Sequence, residues 1–463
     1  MNKYTKVMIL IVTAVLAAIL VSGCTHQSSP QAQASQMKIG VNTSPTGSSN
    51  PYVQVSEVKV GVIASLTPPG KNGNLGRMTL QGAELAAAEI NANGGINING
   101  NMVPIKVIVA DDESTKQGGQ TAATRLITGD KVDILVGGHL VPVTLSEEQI
   151  VAEYKVPFIV TSSGMPIITH SSDIDTSYVF HHIPTTDTNG QYITTFIDQV
   201  IRPAVNQNLN APANRPFRLA LIYQDTAWGK DVQSAVINTI TTNKLNTVLV
   251  SQQGFNMGES DFRTPLTAIK AAKPDAVYIA AFPEEAAPLI TQARRDIGLN
   301  TLFLLNHDND DPHFYKDVGQ YGEGAIVESW FSLYATPAGS LGDAQNAFKD
   351  SYYAKYGEHS EMMGASTYEG VYIAAKAIEN AGTTEKASVR QALVKLSMPQ
   401  IIDAMKGGTI SFSSDFRESP FELWMQQLQY NSNIGQTRPQ IVWPDNLKVT
   451  EFTLPSWYTP GSA

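Results

Sequence analysis

Residues 57–112 hold the pattern that most constrains this chain: an apolar run, a loop, a helical stretch and a second apolar run in close succession. Residues 58–66, VKVGVIASL, are rich in β-branched side chains, which predicts a strand covered on both faces, as in a parallel sheet. A Gly- and Pro-rich loop, 67–77, comes next. From 78 to 91, Leu80, Ala83, Ala87 and Ile90 recur at helical spacing, and Asn93-Gly94-Gly95 supplies residues that tolerate the left-handed conformation ending helices. A second strand is expected at 103–110. The result is a βαβ unit whose first loop opens at the carboxyl end of the sheet, where open α/β folds place their ligands.

The pattern then repeats. A polar helix at 116–128, a strand at 132–138 with the loop 138–142, a helix at 146–154 and a strand at 156–160 with the loop 161–166 extend the unit to four strands, a doubly wound lobe. A second series is expected beyond residue 190: a helix at 191–201, then strands at 217–224, 247–252, 275–282 and 301–306 alternating with helices. At 463 residues the chain exceeds what one core serves, so two domains are expected. A net charge of −10 argues against nucleic acid as a partner and against a membrane surface read by basic residues.

The first 24 residues read as an export signal. Lys3 and Lys6 precede the apolar stretch 7–21, which is short for a bilayer span and ends in small residues. Leu20-Val21-Ser22-Gly23-Cys24 is similar to a bacterial lipobox, which makes Cys24 the candidate lipidated N-terminus; an uncleaved signal anchor is the alternative, and both export the protein. Cys24 is the single cysteine, so no disulfide supports the fold. Residues 25–56, rich in Ser, Gln, Asn, Pro and Thr, read as a flexible tether.

Catalytic templates are missing. Gly70, Gly73 and Gly76 match neither phosphate-binding glycine motif, and no zinc-protease helix, nucleophile elbow or cysteine nucleophile is present, so an enzyme is not expected. His181-His182 reads as a metal pair or a hinge; adjacent residues on an extended segment point to opposite sides, which favours the hinge. His307-Asp308 with Asp310 and Asp311 reads as a cation site or as a loop facing a cleft, and the missing glycine turn and closing Glu of a calcium loop favour the latter. No cofactor or metal is expected.

The segments KVGVI, GAELAAAEINANGGIN and ADDES, followed by VDILVGGHL, VPFIVTSSG, ALIYQDTAWGKD and DDPHFYKDVGQYGEGAIVES, resemble the type I periplasmic binding proteins. The likeness is to the branched-chain amino-acid-binding subunits of ABC importers and covers about residues 57–430. It implies two doubly wound α/β lobes joined by three crossover segments: lobe 1 from 57–183 plus 331–406, lobe 2 from 184–330 plus 407–463. GASTYEGVYIAAKAIEN would return to the first lobe, and TISF and IVWP would belong to the second. The family's ligand contacts fall on His139 and Leu140, on Thr161, Ser162 and Ser163, on Phe282, and on His307 with Asp308 beside it; Trp228, on the loop after the strand at 217–224, offers a second aromatic face. Pro142 and Met165 stand where amino-acid-binding members often carry hydroxyl residues, and His307 stands at the position of the acid that pairs with an α-ammonium unless the register shifts by one to Asp308. The resemblance implies a monomeric, lipid-anchored, extracytoplasmic receptor that hands a small polar solute to an ABC permease. A ligand-sensing domain of a signalling system is the alternative; it predicts an output segment after Trp443, where only 20 residues follow.

Overall fold

The computed structural model describes residues 55–67 and 73–459, side chains excepted at 73–75. The leader, Cys24, most of the tether and Gly70 lie outside the described residues. Among the described residues no helix is long and apolar enough to cross a membrane.

The first sheet contains β1 (Val58–Ala64), β2 (Ile105–Asp111), β3 (Ile134–Gly137), β4 (Phe158–Val160) and β5 (Val179–His181), all parallel, in the order β2-β1-β3-β4-β5. Between β1 and β2 run the 20-residue helix α1 (Gly73–Ala92) and a small hairpin, Ile96–Ile98 with Asn101–Val103. The hairpin takes the beginning of the strand expected at 103. Helices α2 (Lys116–Thr124) and α3 (Val141–Tyr154) follow β2 and β3. α3 begins five residues earlier than its pattern predicts. Its N-cap, Leu140, has no side-chain acceptor to announce it, while Pro142 fits the first turn, where its missing N–H costs nothing.

Alternation along the strands builds a core on each face. Val58, Val60 and Val62 face Ala83, Ala86 and Ile90 of α1, whereas Ile63, Leu135 and Phe158 face Ala123, Leu126 and Val151. The chain contributes a fifth strand just before the lobe boundary expected at 183: Phe158 and Ile159 lie in register with Val179 and Phe180.

Helix α4 (Thr186–Phe196) leads into the second sheet, ordered β12-β11-β10-β9-β8-β6-β7. Its parallel part is β6 (Phe217–Gln224), β7 (Thr247–Phe255), β8 (Ala276–Ala280), β9 (Leu302–Leu305) and β10 (Ile326–Ser329). Helices α5 (Ala227–Thr242), α6 (Arg263–Ala271), α7 (Pro283–Gln292) and α8 (Pro312–Val318) connect these strands. Ala220, Ile222, Val277 and Ile279 face α6 and α7, while Leu219, Leu221 and Tyr278 face Phe196, Val232 and Val236.

After β10 the chain returns to the first core. Helices α9 (Ser340–Tyr356), α10 (Met362–Ala381) and α11 (Lys386–Val394) pack there, α10 lying along α1. The strand Thr409–Ser411 pairs with Ser397–Pro399, and Ile410, Phe412 and Phe421 lie in the first core. This corrects two expectations: TISF belongs with the first lobe, and the chain stays against that lobe through Leu423 and joins the second sheet at Trp424 rather than crossing near Gly407. Ile410 and Phe412 find apolar partners in the first core, and that burial decides the matter. Antiparallel β11 (Trp424–Asn431) and β12 (Gln436–Trp443) then extend the second sheet. The molecule is thus a pair of doubly wound α/β lobes, with the carboxyl ends of both parallel strand sets carrying the loops singled out above.

Candidate functional site

In the first lobe the loops after β3 and β4 are locked to each other. Gly137 (φ 122°) and Gly138 (φ 78°) turn the chain out of β3, and a Cβ on Gly137 would meet the Ile63 carbonyl oxygen at 2.2 Å. The turn leads through His139 into α3, whose N-cap is Leu140. Ser163 Oγ donates to the His139 carbonyl at 2.8 Å and lies 2.8 Å from Thr144 Oγ1. Thr161 Oγ1 pairs with Thr367 Oγ1 of α10 at 2.8 Å in full burial. The three hydroxyls expected to keep enough donors for an anion are thus engaged unequally. Two are committed within the protein, and Ser162 Oγ, buried and without a partner, is the one left open. Its neighbour Ser163 ties this loop to the start of α3, which has no side-chain cap and whose first turn presents positive partial charge.

In the second lobe Trp228 and Phe282 stack at 4.8 Å between ring centroids with 10° between planes. Trp228 lies in the first turn of α5 and Phe282 caps α7, so the pair sits over the ends of the neighbouring strands β6 and β8. The next strand, β9, ends in a 3-10 turn, His307–Asn309. This turn is braced against the β8 end, because Asn306 Oδ1 accepts from the Ala281 N–H and Asn309 Nδ2 donates to the Ala281 carbonyl. Asp308 accepts from Asn306 Nδ2 at 2.6 Å. The other acids of the run do separate work: Asp310 accepts from Tyr315 and Ser332, and Asp311 caps α8. They do not converge with His307 and Asp308 on a cation.

Sequence reading missed four contributors. Asn189 of α4 reaches both His307 Nδ1 at 3.1 Å and Glu328 Oε1 at 2.9 Å. Glu328 is fully buried in β10, and Trp330 lies edge-to-face against His307 at 4.9 Å. Glu361 caps α10 by accepting from the Met363 and Gly364 N–H groups. An acid within the apolar strand AIVES and an acid just before a long apolar helix were the available signals.

These groups act on one another electrostatically. Burial lowers the His139 pKa against the opposing pull of Asp308, a coupling between the β3 loop and the β9 loop. Burial would also lower His307, but Asp308 and Glu328 outweigh it and its pKa rises. Burial raises Glu328 despite His307 and Asn189. Glu361 is pushed up to about 7, first by burial and then, against its two N–H donors, by Asp311 and Asp308. The loops after β3 and β4 therefore hold a buried, unpartnered hydroxyl and a helix N-terminus, groups whose chemistry suits an anion, and the ends of β9 and β10 hold carboxylates around His307, whose chemistry suits a cation.

The Periplasmic binding protein family model matches residues 57–432. The chain belongs to the periplasmic binding protein family. An amino acid binding protein of Pseudomonas aeruginosa is 28% identical to this binding protein over 260 residues, 56% of the chain and 63% of that relative, so the match spans less than two thirds of the relative's length. The Leu/Ile/Val-binding protein homolog 3 of Brucella melitensis biotype 1 is 25% identical over 332 residues, 72% of this chain and 81% of the other. In fold, the solute binding protein of an ABC transporter from Rhodopseudomonas palustris BisB5, solved with 3,4-dihydroxybenzoic acid, superposes with a TM-score of 0.64 at 20% identity, covering 85% of this chain and 98% of that one.

Proposed function

We propose that this binding protein is a lipid-anchored extracytoplasmic receptor that delivers a small zwitterionic solute of the amino-acid class to an ABC importer. The observation that carries the ligand class is the division of charge across the cleft. Ser162 Oγ and the N-terminus of α3 supply donors for a carboxylate, and Asp308, which already faces His307 Nε2 at 3.7 Å, supplies the partner for an ammonium. The Trp228–Phe282 stack gives a flat apolar wall for a side chain. The names of the Pseudomonas and Brucella relatives support the same class, and family membership supports delivery to a permease. Lys3, Lys6 and the Cys24 lipobox support the anchor.

A thermal-shift screen of residues 25–463 against amino acids, amides, short carboxylates and hydroxybenzoates tests the class, since a ligand of the folded state raises the midpoint by mass action. Selective stabilisation by amino acids is the expected outcome. Stabilisation by hydroxybenzoates or simple carboxylates alone would overturn the zwitterion while leaving a solute receptor in place.

A further inference from the structure

Far from the termini, three fully buried side chains meet where the passages between the lobes run side by side: His182 just past β5, Glu369 on α10, and Asp403 ahead of the hairpin strand Thr409–Ser411. Their ligating atoms all lie within 4.8 Å of one another. His182 Nδ1 pairs with Ser419 Oγ at 2.8 Å, in the last passage, and its Nε2 faces Glu369 Oε2 at 2.9 Å and Asp403 Oδ2 at 3.8 Å. Glu369 is oriented by the Ile401 and Ile402 N–H groups, which donate to Oε1 and leave Oε2 turned inward. Neither oxygen of Asp403 has a partner in good hydrogen-bond geometry, although the Ser366 hydroxyl, which accepts from Trp330 Nε1, is close enough to act on this carboxylate as a donor.

We propose that His182 Nε2, Glu369 Oε2 and the Asp403 carboxylate bind a divalent transition-metal ion of the zinc class, which ties the passages together at the hinge. Three arguments converge. First, charge: with both carboxylates ionised, they and an imidazole, even an imidazolium, leave a net negative charge among fully buried side chains, whereas a dication with neutral imidazole balances it. Second, geometry: the 2.9 and 3.8 Å separations bracket the spacing of roughly 3.3 Å between two donors that bind a tetrahedral ion at about 2.0–2.1 Å. Third, support: Ser419 accepting from Nδ1–H would hold the tautomer with Nε2 free, and the backbone donors on Glu369 aim its other oxygen, the outer contacts that metal ligands require. An imidazole among the donors favours zinc over calcium or magnesium, which prefer oxygen alone. The inference is independent of which solute the cleft binds.

The test uses untagged protein, residues 25–463, stripped with chelator, loaded with zinc and passed over a desalting column before elemental analysis. The wild type is expected to retain about one zinc per chain and Asp403→Asn less than a tenth of that. Equal retention in both, or none in the wild type, overturns the site. If Asp403→Asn does not fold, Ser419→Ala keeps all three donors and is expected to weaken zinc on the order of 10-fold in a competition titration. X-ray absorption on the loaded protein is expected to show one imidazole among oxygen donors; two or more imidazoles would place the ion elsewhere and overturn the proposal. A wild-type midpoint that zinc leaves unchanged, with Asp403→Asn more stable than the wild type, would put a proton on Asp403 in place of the ion and overturn it equally.

Discussion

Ser162 and Ser163 stand side by side, and a one-dimensional reading cannot rank them. Three-dimensional packing does: Ser163 holds the β3 loop through the His139 carbonyl, while Ser162 has nothing to hold. Ser162→Ala is therefore expected to weaken solute binding by about fivefold, the worth of one hydrogen bond of about 1 kcal/mol. Asp308→Ala is expected to weaken it by roughly 30-fold or more, because removing a desolvated charge partner costs about 2 to 5 kcal/mol. Calorimetric titration with the solute found by screening measures both, and negligible losses in both would move the site off these loops. A different residue predicts the pH dependence of stability. Glu148 is fully buried in α3 with neither oxygen hydrogen-bonded, and burial, reinforced by Glu147, pushes its pKa up to about 9. The folded chain thus keeps a proton that the unfolded chain releases above its ordinary value near 4.5, so this carboxyl lowers stability as pH rises through that window toward 9. Glu148→Gln, which mimics the protonated form, is expected to stabilise the protein by on the order of 2 kcal/mol at pH 8 and by little at pH 4.5. Thermal unfolding at the two values checks it, and an equal gain at both would show that charge is not the cause.

At the scale of elements, α1 and α10 show how closely two helices approach when glycines face each other. A Cβ on Gly82 of α1 would lie 2.1 Å from the Gly364 carbonyl oxygen at the start of α10, so the backbones touch and side chains larger than hydrogen are excluded. Alanine is the better helix former by about 1 kcal/mol, but here the obstacle is backbone, which cannot swing aside. Gly82→Ala is expected to destabilise by about 1–3 kcal/mol net in denaturant unfolding. A neutral or stabilising result would mean that the helices separate freely. The same elements mark what was legible. Strands β1, β3, β6, β8 and β9 announce themselves as largely apolar runs because both their faces are buried. The start of α3 and the strand β5 do not: Leu140 is a cap without an acceptor, and Val179–His181 is too short to show a period.

For the whole molecule, two lobes with separate cores joined by three passages predict closure around a solute, hinged on residues such as His182, Trp330 and Phe421 that pack where the passages meet. Small-angle scattering with saturating solute is expected to give a smaller radius of gyration than without it; identical profiles would argue for a rigid role. The anchor is tested separately, by Cys24→Ser, which is expected to release the protein from the membrane or block its processing. Unchanged retention with normal processing would refute it. What the amino-acid order determines by itself is the alternation of strand and helix, since local periodicity and β-branching act within a dozen residues, and with it the doubly wound lobes and the carboxyl-end loops. Where the last passage crosses, which serine is left open, and that Asn189, Glu328 and Glu361 join the cleft were decided only by tertiary structure. Those outcomes depend on contacts between residues more than a hundred apart, Asn189 with Glu328 or His182 with Glu369, and on burial that removes the competing water, neither of which leaves a trace in local pattern.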